Sequence, residues 1–398
     1  MIKFRLQPDG VPIAMNITDL TYKDFPEYQT GVIMWKSISP LLILIGTFGS
    51  LLSVIVLCRK RMRTSTTMFY LAVLAVTDVF VLYTGLLRYW LNYTFDEDIR
   101  IYSDFSCKFH IFLVYVSLDF AAWILVALTV DRCLFVFAPF KARKYCTLRR
   151  ARITAAAMLG FLMVINVHFA WSYGLSPRTI FGEGVDCYAA NDDMKQFVTV
   201  IWPWIDLFIV CFVPFTIMII CNVIIIRKLA ISASKIRRHT VSERERFQYE
   251  LKSTNQNVHH ISTPPGQSKH PKISVISTQS NNNNNNNNNN TKARSACPKS
   301  SHLTVMLLSV NCLFLLLTSP IVVYMIGFGT WREDPDPQTE ARLHLGWCLV
   351  NLLQYTNNAA HFFLYCLTGP RFRRELLRMM SPKNKVNAEP SVTLDPYH

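Results

Sequence analysis

Four aspartates stand inside long apolar stretches of this sequence, where a carboxylate is costly and usually has a functional role. They are Asp78, Asp119, Asp131 and Asp206. Asp131 is followed directly by Arg132 and Cys133, so an acid and a guanidinium lie side by side at the end of an apolar run. A purely structural role stays open for each site. Asp78 could be a protonated or Asn-bonded carboxyl. Separately, Asp131 and Arg132 could form an interfacial ion pair that contributes little stability.

The sequence carries no pattern for covalent or metal-assisted catalysis. HExxH, GxSxG and paired-histidine metal motifs are absent from it. The eleven cysteines form no CxxC pair and no Cys/His cluster at zinc spacing. Most of them lie in apolar runs, where a free thiol behaves as a small hydrophobic group. We therefore expect a protein that is not an enzyme and that has no cofactor and no metal centre.

The composition is that of a membrane protein. Of the 398 residues, 51% are hydrophobic and 17% are charged, whereas a soluble domain carries about a quarter charged residues. About 20 helical residues cross a bilayer, and backbone groups in lipid must be paired within a helix. Seven runs qualify: residues 37–58, 66–91, 109–130, 153–176, 199–226, 303–331 and 343–368. The fourth is the weakest, because it contains His168. The predicted fold is an all-α bundle of seven transmembrane helices over residues 38–368.

Positive charges between the runs set the expected orientation. Lys and Arg concentrate in the first and third connectors and after the last run, and Asp and Glu concentrate in the alternate connectors. This alternation predicts a plasma-membrane protein with an extracellular N-terminal segment (residues 1–37) and a cytosolic C-terminus. The formal charge of +15 then reflects membrane topology, and no nucleic acid partner is expected.

Two segments on the cytosolic side have distinctive compositions. Residues 228–302 are polar and contain ten consecutive asparagines, so they are predicted to form a disordered loop. In the tail of residues 369–398, Phe372, Leu376 and Met379 share one helix face and arginines occupy the other. This pattern predicts a short amphipathic helix on the anionic inner leaflet, with membrane lipid as its partner.

Two cysteines and two sequons are assigned to the outside. Besides Cys107, Cys187 is the only cysteine that lies clearly in an extracellular connector, and two cysteines in an oxidising compartment are expected to pair. That bond would tie the second extracellular connector to the top of span three. Asn16 and Asn92 begin glycosylation sequons that would face the same side.

The order and spacing of several residues resemble rhodopsin-like (class A) G-protein-coupled receptors. The match extends over residues 38–380 and includes Asp78, Cys107, Asp131-Arg132-Cys133, Pro214, Phe314, Pro320 and Tyr365. The run of residues 357–369 looks most like invertebrate neuropeptide receptors. The resemblance implies that Asp131 locks Arg132 in the inactive state and that Arg132 contacts a heterotrimeric G protein after activation. Phe314, Pro320 and Tyr365 would take part in the switch, and arrestin and receptor kinases would be further partners.

Some positions depart from that family pattern. The resemblance implies a polar network inside the membrane, made by Asp78, Asn357, Asn358 and His361. His361 stands where the family has Asn, and Thr318 stands where it has Trp. The family often holds a sodium ion at the aspartate of span two. These replacements speak against sodium binding at Asp78.

Helical spacing selects a candidate ligand site between the outer ends of the spans. Span seven has no Lys for a retinal Schiff base, and the position of the monoamine-binding Asp in span three is Val114. A short cationic peptide is favoured, because the extracellular connectors are acidic, although the same acidity is also the plain complement of the positive-inside bias. Spacing of four residues places Tyr115 with Asp119, and Asn351 with Tyr355, on shared helix faces. The resemblance implies that the site is lined by Arg88, Tyr115, Asp206, Trp347, Asn351 and Tyr355. Trp202 and Trp204 are interpreted as interfacial belt residues.

The alternative function is a channel or transporter of the plasma membrane. Such a protein should show polar residues along one face of many spans, or broken helices in paired halves. Neither pattern is visible in the sequence. The hypothesis we favour is a receptor that passes extracellular peptide binding to a heterotrimeric G protein.

Overall fold

The computed structural model describes residues 4–6, 12–14, 21–177, 185–258, 297–331 and 336–380. In these ranges seven long helical segments form one bundle, and we number them as spans one to seven. Span five begins at Asp192, includes π-helical turns at Phe197–Ile201 and Phe208–Phe212, and continues as Val213–Val258. The other six are Pro26–Leu57, Thr66–Phe95, Asp104–Phe137, Leu148–Ser172, Cys297–Trp331 and Pro337–Thr368.

The seven-helix prediction is confirmed, but the weakest span is not the expected one. Among the described residues, six helices are long and apolar enough to cross a membrane, and span four is one of them. Span seven is the exception. It is more polar because it buries a row of amide and imidazole side chains that face the other spans, namely Asn351, Asn357, Asn358 and His361.

Short strands interrupt the otherwise helical fold at one end of the bundle. Tyr173–Pro177 pairs antiparallel with Val185–Ala189 in the connector between spans four and five, and Leu175 lies opposite Cys187. The expected disulfide joins Cys187 to Cys107 on span three. We call this side of the bundle the disulfide end, and the opposite side the Arg132 end. A second antiparallel pair, Phe4–Leu6 with Pro12–Ala14, lies near the N-terminus.

Two helices extend beyond the predicted runs. Span one begins at Pro26, so residues 26–37 belong to the helix, and its first turn carries the proline that suits a helix start. Span five continues to Val258, so residues 228–258 are helical and do not belong to a disordered loop. That stretch contains neither Gly nor Pro, and its Arg, Lys, Glu and Leu residues have a helix propensity that can extend a helix outside lipid. Residues 259–296 lie outside the described part of the chain.

Close approach between spans depends on glycine at two positions. A Cβ at Gly49 of span one would lie 2.8 Å from Cβ of Phe362 on span seven, and Gly85 of span two faces the ring of Tyr355. Neither position has room for a larger side chain. At the Arg132 end, the chain continues from span seven into a C-terminal helix, Pro370–Met380. It buries Phe372, half-buries Leu376 and Met379 and leaves its four arginines exposed, so it is amphipathic as expected.

Candidate functional site

Arg132 and Asp131 contact each other at the end of span three. Nη2 of Arg132 lies 3.5 Å from Oδ2 of Asp131, and both side chains are largely buried. The same oxygen accepts hydrogen bonds from the hydroxyl of Thr66 at 3.0 Å and of Thr67 at 3.5 Å. Both threonines begin span two. Asp131 therefore holds Arg132 and also ties span three to span two.

A second polar contact lies one helical turn from Arg132. Nδ2 of Asn311 on span six donates to Oγ1 of Thr129 on span three at 2.7 Å and to Oδ1 of Asn222 on span five at 3.1 Å. All three side chains are buried. We call Thr129, Asn222 and Asn311 the three-span clasp. Within a membrane no water replaces such hydrogen bonds, so the clasp holds three span ends together.

The other predicted switch residues lie on spans six and seven. Phe314 is buried and meets Phe215 of span five edge to face, with 5.6 Å between ring centroids. Pro320 lies inside span six. Tyr365 is fully buried, and its ring stacks on that of His361 with centroids 6.3 Å apart. The ring contact of Phe314 thus joins spans five and six, whereas that of Tyr365 lies within span seven.

The predicted polar network inside the membrane consists of two pairs. Nδ1 of His361 lies 2.7 Å from Oδ2 of Asp78, and both side chains are fully buried. An ionised Asp78 can only accept in this contact, and the donor is then the N–H at Nδ1. Nδ2 of Asn357 donates to Oδ1 of Asn358 at 3.4 Å. Asp78 is thus bonded to a histidine and not to an asparagine.

The arrangement gives a sodium ion on Asp78 fewer ligands than the family pattern would. Beside Oδ2 the position of a cation is taken by Nδ1 of His361, 2.7 Å away, and only Oδ1 has no hydrogen-bond partner among the described residues. His361 also brings an imidazole to a position where a hard cation prefers an oxygen ligand. Within the described ranges, no cluster of three or more His, Cys, Asp or Glu residues is arranged to hold a metal ion.

Asp119 and Asp206 come together in the half of the bundle nearer the disulfide end. Oδ2 of Asp119 accepts a hydrogen bond of 2.7 Å from Nδ2 of Asn166 on span four, and Asp119 is only 2% exposed. Asp206 on span five lies close enough for the two carboxyl groups to interact electrostatically. Among the residues that the structure describes, neither acid forms a salt bridge. We call Asp119, Asn166 and Asp206 the acidic cluster.

Aromatic side chains surround the acidic cluster on the side of the disulfide. The ring of Tyr115 lies 4.6 Å from that of Phe169, and Trp202 lies 3.8 Å from the ring of His168. Trp202 is 5% exposed, so its interpretation as a belt residue is wrong, whereas Trp204 is 55% exposed and fits that role. The reason is the π-helical turn that ends at Ile201, because its extra residue changes the face on which the following side chains lie.

The remaining predicted ligand residues form a separate group on spans two and seven. Nε1 of Trp347 donates to the hydroxyl of Tyr89 at 3.2 Å, and Nδ2 of Asn351 donates to the carbonyl of Trp347 at 2.8 Å. The guanidinium of Arg88 lies 4.2 Å from the centre of the Tyr89 ring. Tyr355 is buried beside Gly85. The predicted ligand set therefore divides into the acidic cluster with Tyr115, and this basic and aromatic group.

Arg88 already has a carboxylate partner. Its Nη1 lies 3.5 Å from Oδ2 of Asp98, in the connector between spans two and three, and Nη2 of Arg100 lies 2.6 Å from the same oxygen. Burial alone would raise the pKa of Asp98, but the hydrogen bonds and charge of Arg100 and the charge of Arg88 outweigh it and lower the pKa to about 2. Asp98 is therefore ionised and holds both arginines.

Sequence reasoning missed several of these partners. Asn166, Asp98 and the three-span clasp were not predicted, although a lone asparagine in an apolar run is a signal that could have been used. Of the two predicted glycosylation sites, Asn16 lies outside the described residues. Asn92 is half-buried in the last turns of span two.

The arrangement defines a class of protein. Seven spans, a disulfide from span three to a neighbouring connector, and an acid–arginine pair at the opposite end of the same span are the architecture of a heptahelical membrane receptor. The chain belongs to the rhodopsin family of seven-transmembrane receptors, whose model matches residues 49–365. It is thus a multi-pass protein of the plasma membrane and not an enzyme.

Relatives in this family carry names that refer to different ligands. Cysteinyl leukotriene receptor 1 of Cavia porcellus is 25% identical over 229 residues, which are 56% of this chain and 64% of that receptor. A purinoceptor of Homo sapiens is 30% identical over 178 residues, 44% of this chain and 45% of the relative. Neuromedin-U receptor 1 of Homo sapiens is 29% identical over 163 residues, which are 39% of this chain and 37% of that receptor. The match covers less than two thirds of the length of each of these relatives.

Proposed function

We propose that this protein is a G-protein-coupled receptor for a short cationic peptide. The observation that carries the proposal is the acidic cluster, where Asp119 and Asp206 interact with each other and, among the described residues, with no cation of the chain. A carboxyl group held away from water is either protonated or paired with a positive charge, and a cationic ligand group would favour the ionised form of one of these acids. A lysine, an arginine or an N-terminal amine of a peptide supplies this cationic group, while the rings of Tyr115 and Trp202 contact the apolar part of the ligand.

The similarity to neuromedin-U receptor 1 supports a peptide ligand. The other two relatives are named for a leukotriene and for purines, so similarity alone does not select the ligand class. The chemistry of the site has to select it. The acidic cluster favours a cation, and this argues against a ligand that is anionic throughout.

Span three links the proposed ligand site to the proposed output. One rigid helix of 34 residues, Asp104–Phe137, carries Tyr115 and Asp119 toward one end and Asp131 and Arg132 at the other. In our proposal the disulfide end is extracellular and the Arg132 end is cytosolic. A ligand that binds one state of the bundle more tightly shifts the population toward it. In that state Arg132 leaves Asp131 and contacts a heterotrimeric G protein, and receptor kinases and arrestin act afterwards.

The ligand proposal is tested by Asp206→Asn. A charge-assisted hydrogen bond contributes about 1.5–3 kcal/mol, so we expect the potency of active cationic peptides to fall roughly tenfold to a hundredfold. A neuropeptide library is screened on cells with calcium and cyclic AMP readouts, and dose–response curves are compared. Asp193→Asn removes the same charge from the exposed start of span five and should leave potency unchanged. Equal potency of wild type and Asp206→Asn would refute the assignment.

The coupling proposal is tested by Arg132→Ala. We expect the G-protein response to be lost while surface expression and peptide binding persist, because Arg132 contacts the G protein and not the ligand. Arg143→Ala, in the exposed loop helix Pro139–Tyr145, is the matched control. Full signalling by Arg132→Ala would remove the role we assign to it.

A further inference from the structure

Arginines converge at the Arg132 end where the first connector, residues 58–65, meets the C-terminal helix. The carboxylate of Glu375 is buried, although the residue belongs to an otherwise exposed polar face. It lies 2.6 Å from Nη1 of Arg378 and 3.9 Å from both Arg59 and Arg61. Glu375 therefore fixes arginines from two separate segments around one point.

Two of these arginines, Arg61 and Arg378, line a polar cavity of about 220 Å³ together with Arg371 and Arg374. Four arginines and one glutamate contribute to its wall, which gives it a net positive charge. The hydroxyl-bearing residues Thr64 and Ser65 also line it. Among the residues that the structure describes, Arg371 and Arg374 form no salt bridge and are not engaged by Glu375. Guanidinium groups that converge without a carboxylate partner favour a multiply charged oxyanion, for which their planar donors are well suited.

An apolar cavity adjoins the polar one. It is also about 220 Å³ in volume and shares Met68, Arg371 and Arg374 with its neighbour. Its inner wall is made of Leu57, Leu71, Met306, Tyr365 and Phe372. On the same C-terminal helix Leu377 is 63% exposed and Met380 is 70% exposed. An exposed apolar helix face beside an arginine cluster is the arrangement of a segment that lies at a membrane surface.

We propose that this site binds the phosphorylated headgroup of an inner-leaflet lipid of the polyphosphoinositide class. Arg371 and Arg374 bind the phosphates, and Arg61 and Arg378, positioned by Glu375, complete the pocket. A phosphomonoester carries up to two negative charges and three acceptor oxygens, which matches the excess of guanidinium donors better than the single charge of a serine headgroup. The inference uses the proposed orientation. It does not depend on the identity of the peptide or on coupling to a G protein.

The test measures the thermal unfolding midpoint of the purified full-length chain in nanodiscs. Three compositions are compared: phosphatidylcholine alone, phosphatidylcholine with phosphatidylserine, and phosphatidylcholine with phosphatidylinositol bisphosphate at the same total negative charge. We expect the bisphosphate lipid to raise the midpoint above that in the serine lipid, because a ligand that binds only the folded state stabilises it. Soluble inositol trisphosphate, added to phosphatidylcholine nanodiscs, should give a smaller rise.

Variants assign the effect to the cavity. The combined change Arg371→Gln and Arg374→Gln should abolish the extra rise and weaken lipid binding at least roughly tenfold. Arg373→Gln removes one charge from the exposed face of the same helix without lining either cavity, and should keep the rise. If the double variant does not fold in phosphatidylcholine, Arg374→Gln alone should still reduce the rise. The proposal fails if phosphatidylserine raises the midpoint as much as the bisphosphate lipid does. It also fails if Arg373→Gln loses as much of the rise as the double variant, or if soluble inositol trisphosphate produces the whole rise.

Discussion

The buried carboxylate of Asp78 is compensated by a side chain of the same protein. His361 approaches it to 2.7 Å and is itself fully buried. The resemblance implies an asparagine at the position of His361, and an amide cannot supply a positive charge. An imidazole can supply either a charge or a neutral N–H donor. A single residue difference therefore removes the need for a diffusible cation at the centre of the bundle.

Because His361 contacts Asp78, we predict that the stability of the protein does not respond to sodium. The thermal midpoint of the purified receptor should be the same in sodium chloride and in choline chloride of equal ionic strength. His361→Asn frees Oδ2 of Asp78 and restores an oxygen ligand, so this variant should be stabilised by sodium. Adding Asp78→Asn to it should remove the response. Sodium stabilisation of the wild type as large as that of the variant would contradict the prediction.

The ion pairs of Asp98 lead us to predict that the stability of the folded protein depends on pH. Its folded-state pKa of about 2 lies below its ordinary value of 3.8, chiefly because Arg100 and Arg88 outweigh the effect of burial. The folded state therefore binds this proton less readily than the unfolded state. The stabilisation is present above about pH 4, is lost as the pH falls toward about 2, and amounts to about 2 kcal/mol.

Asp98→Asn should therefore lower the unfolding midpoint near neutral pH, and the difference from wild type should shrink in acid. Midpoints measured from about pH 7 to about pH 3 check this. Asp96→Asn is a control in the same connector, at an exposed residue with φ of 55°, a conformation that asparagine also adopts. A difference that does not change with pH would show that Asp98 acts through packing and not through its charge.

At the scale of the helices, the three-span clasp joins spans three, five and six beside Arg132. The side-chain amide of Asn311 donates two hydrogen bonds, of 2.7 Å to Thr129 and of 3.1 Å to Asn222. Each is worth about 1 kcal/mol. Exposing Arg132 to a G protein requires the ends of these spans to separate. The clasp therefore stabilises the state in which Arg132 remains with Asp131.

Asn311→Leu should raise signalling in the absence of ligand. Loss of one to two hydrogen bonds favours the separated state by about 1–2 kcal/mol, which is roughly a fivefold to thirtyfold change in population. Basal second-messenger output is measured and normalised to surface expression. Ser309→Ala is the control, since its hydroxyl is exposed and bonds only to the carbonyl of Val305 on its own helix. Unchanged basal output in a variant with lowered thermal stability would mean that the clasp holds the fold and not the switch.

Hydropathy predicted the helices better than their ends or their partners. The seven runs are correct because contact with lipid demands apolar side chains. The continuation of span five to Val258 depends on helix propensity in water, which hydropathy does not report. Trp202 turns inward because of a π-helical turn, for which the residues 197–201 give no clear signal. His361 and Asp78 were placed in one network, but a contact between residues 283 positions apart requires the folded bundle.

At the scale of the whole molecule, charge and redox chemistry both favour the orientation that we propose. The arginines of the first connector and of the C-terminal helix lie at the Arg132 end, and positive connectors generally stay in the cytosol. The disulfide between Cys107 and Cys187 lies at the other end, which in our proposal faces an oxidising compartment. With seven spans, the N-terminal and C-terminal segments would then lie on opposite sides of the membrane.

This orientation predicts the accessibility of epitope tags on cells. A tag at the N-terminus should be stained on intact cells, whereas a tag at the C-terminus should be stained only after the membrane is permeabilised. A chain with both tags makes each cell its own control, because permeabilisation must reveal the second signal without loss of the first. Staining of both tags on intact cells would require an even number of spans. That outcome would contradict the seven-span bundle on which the receptor proposal rests.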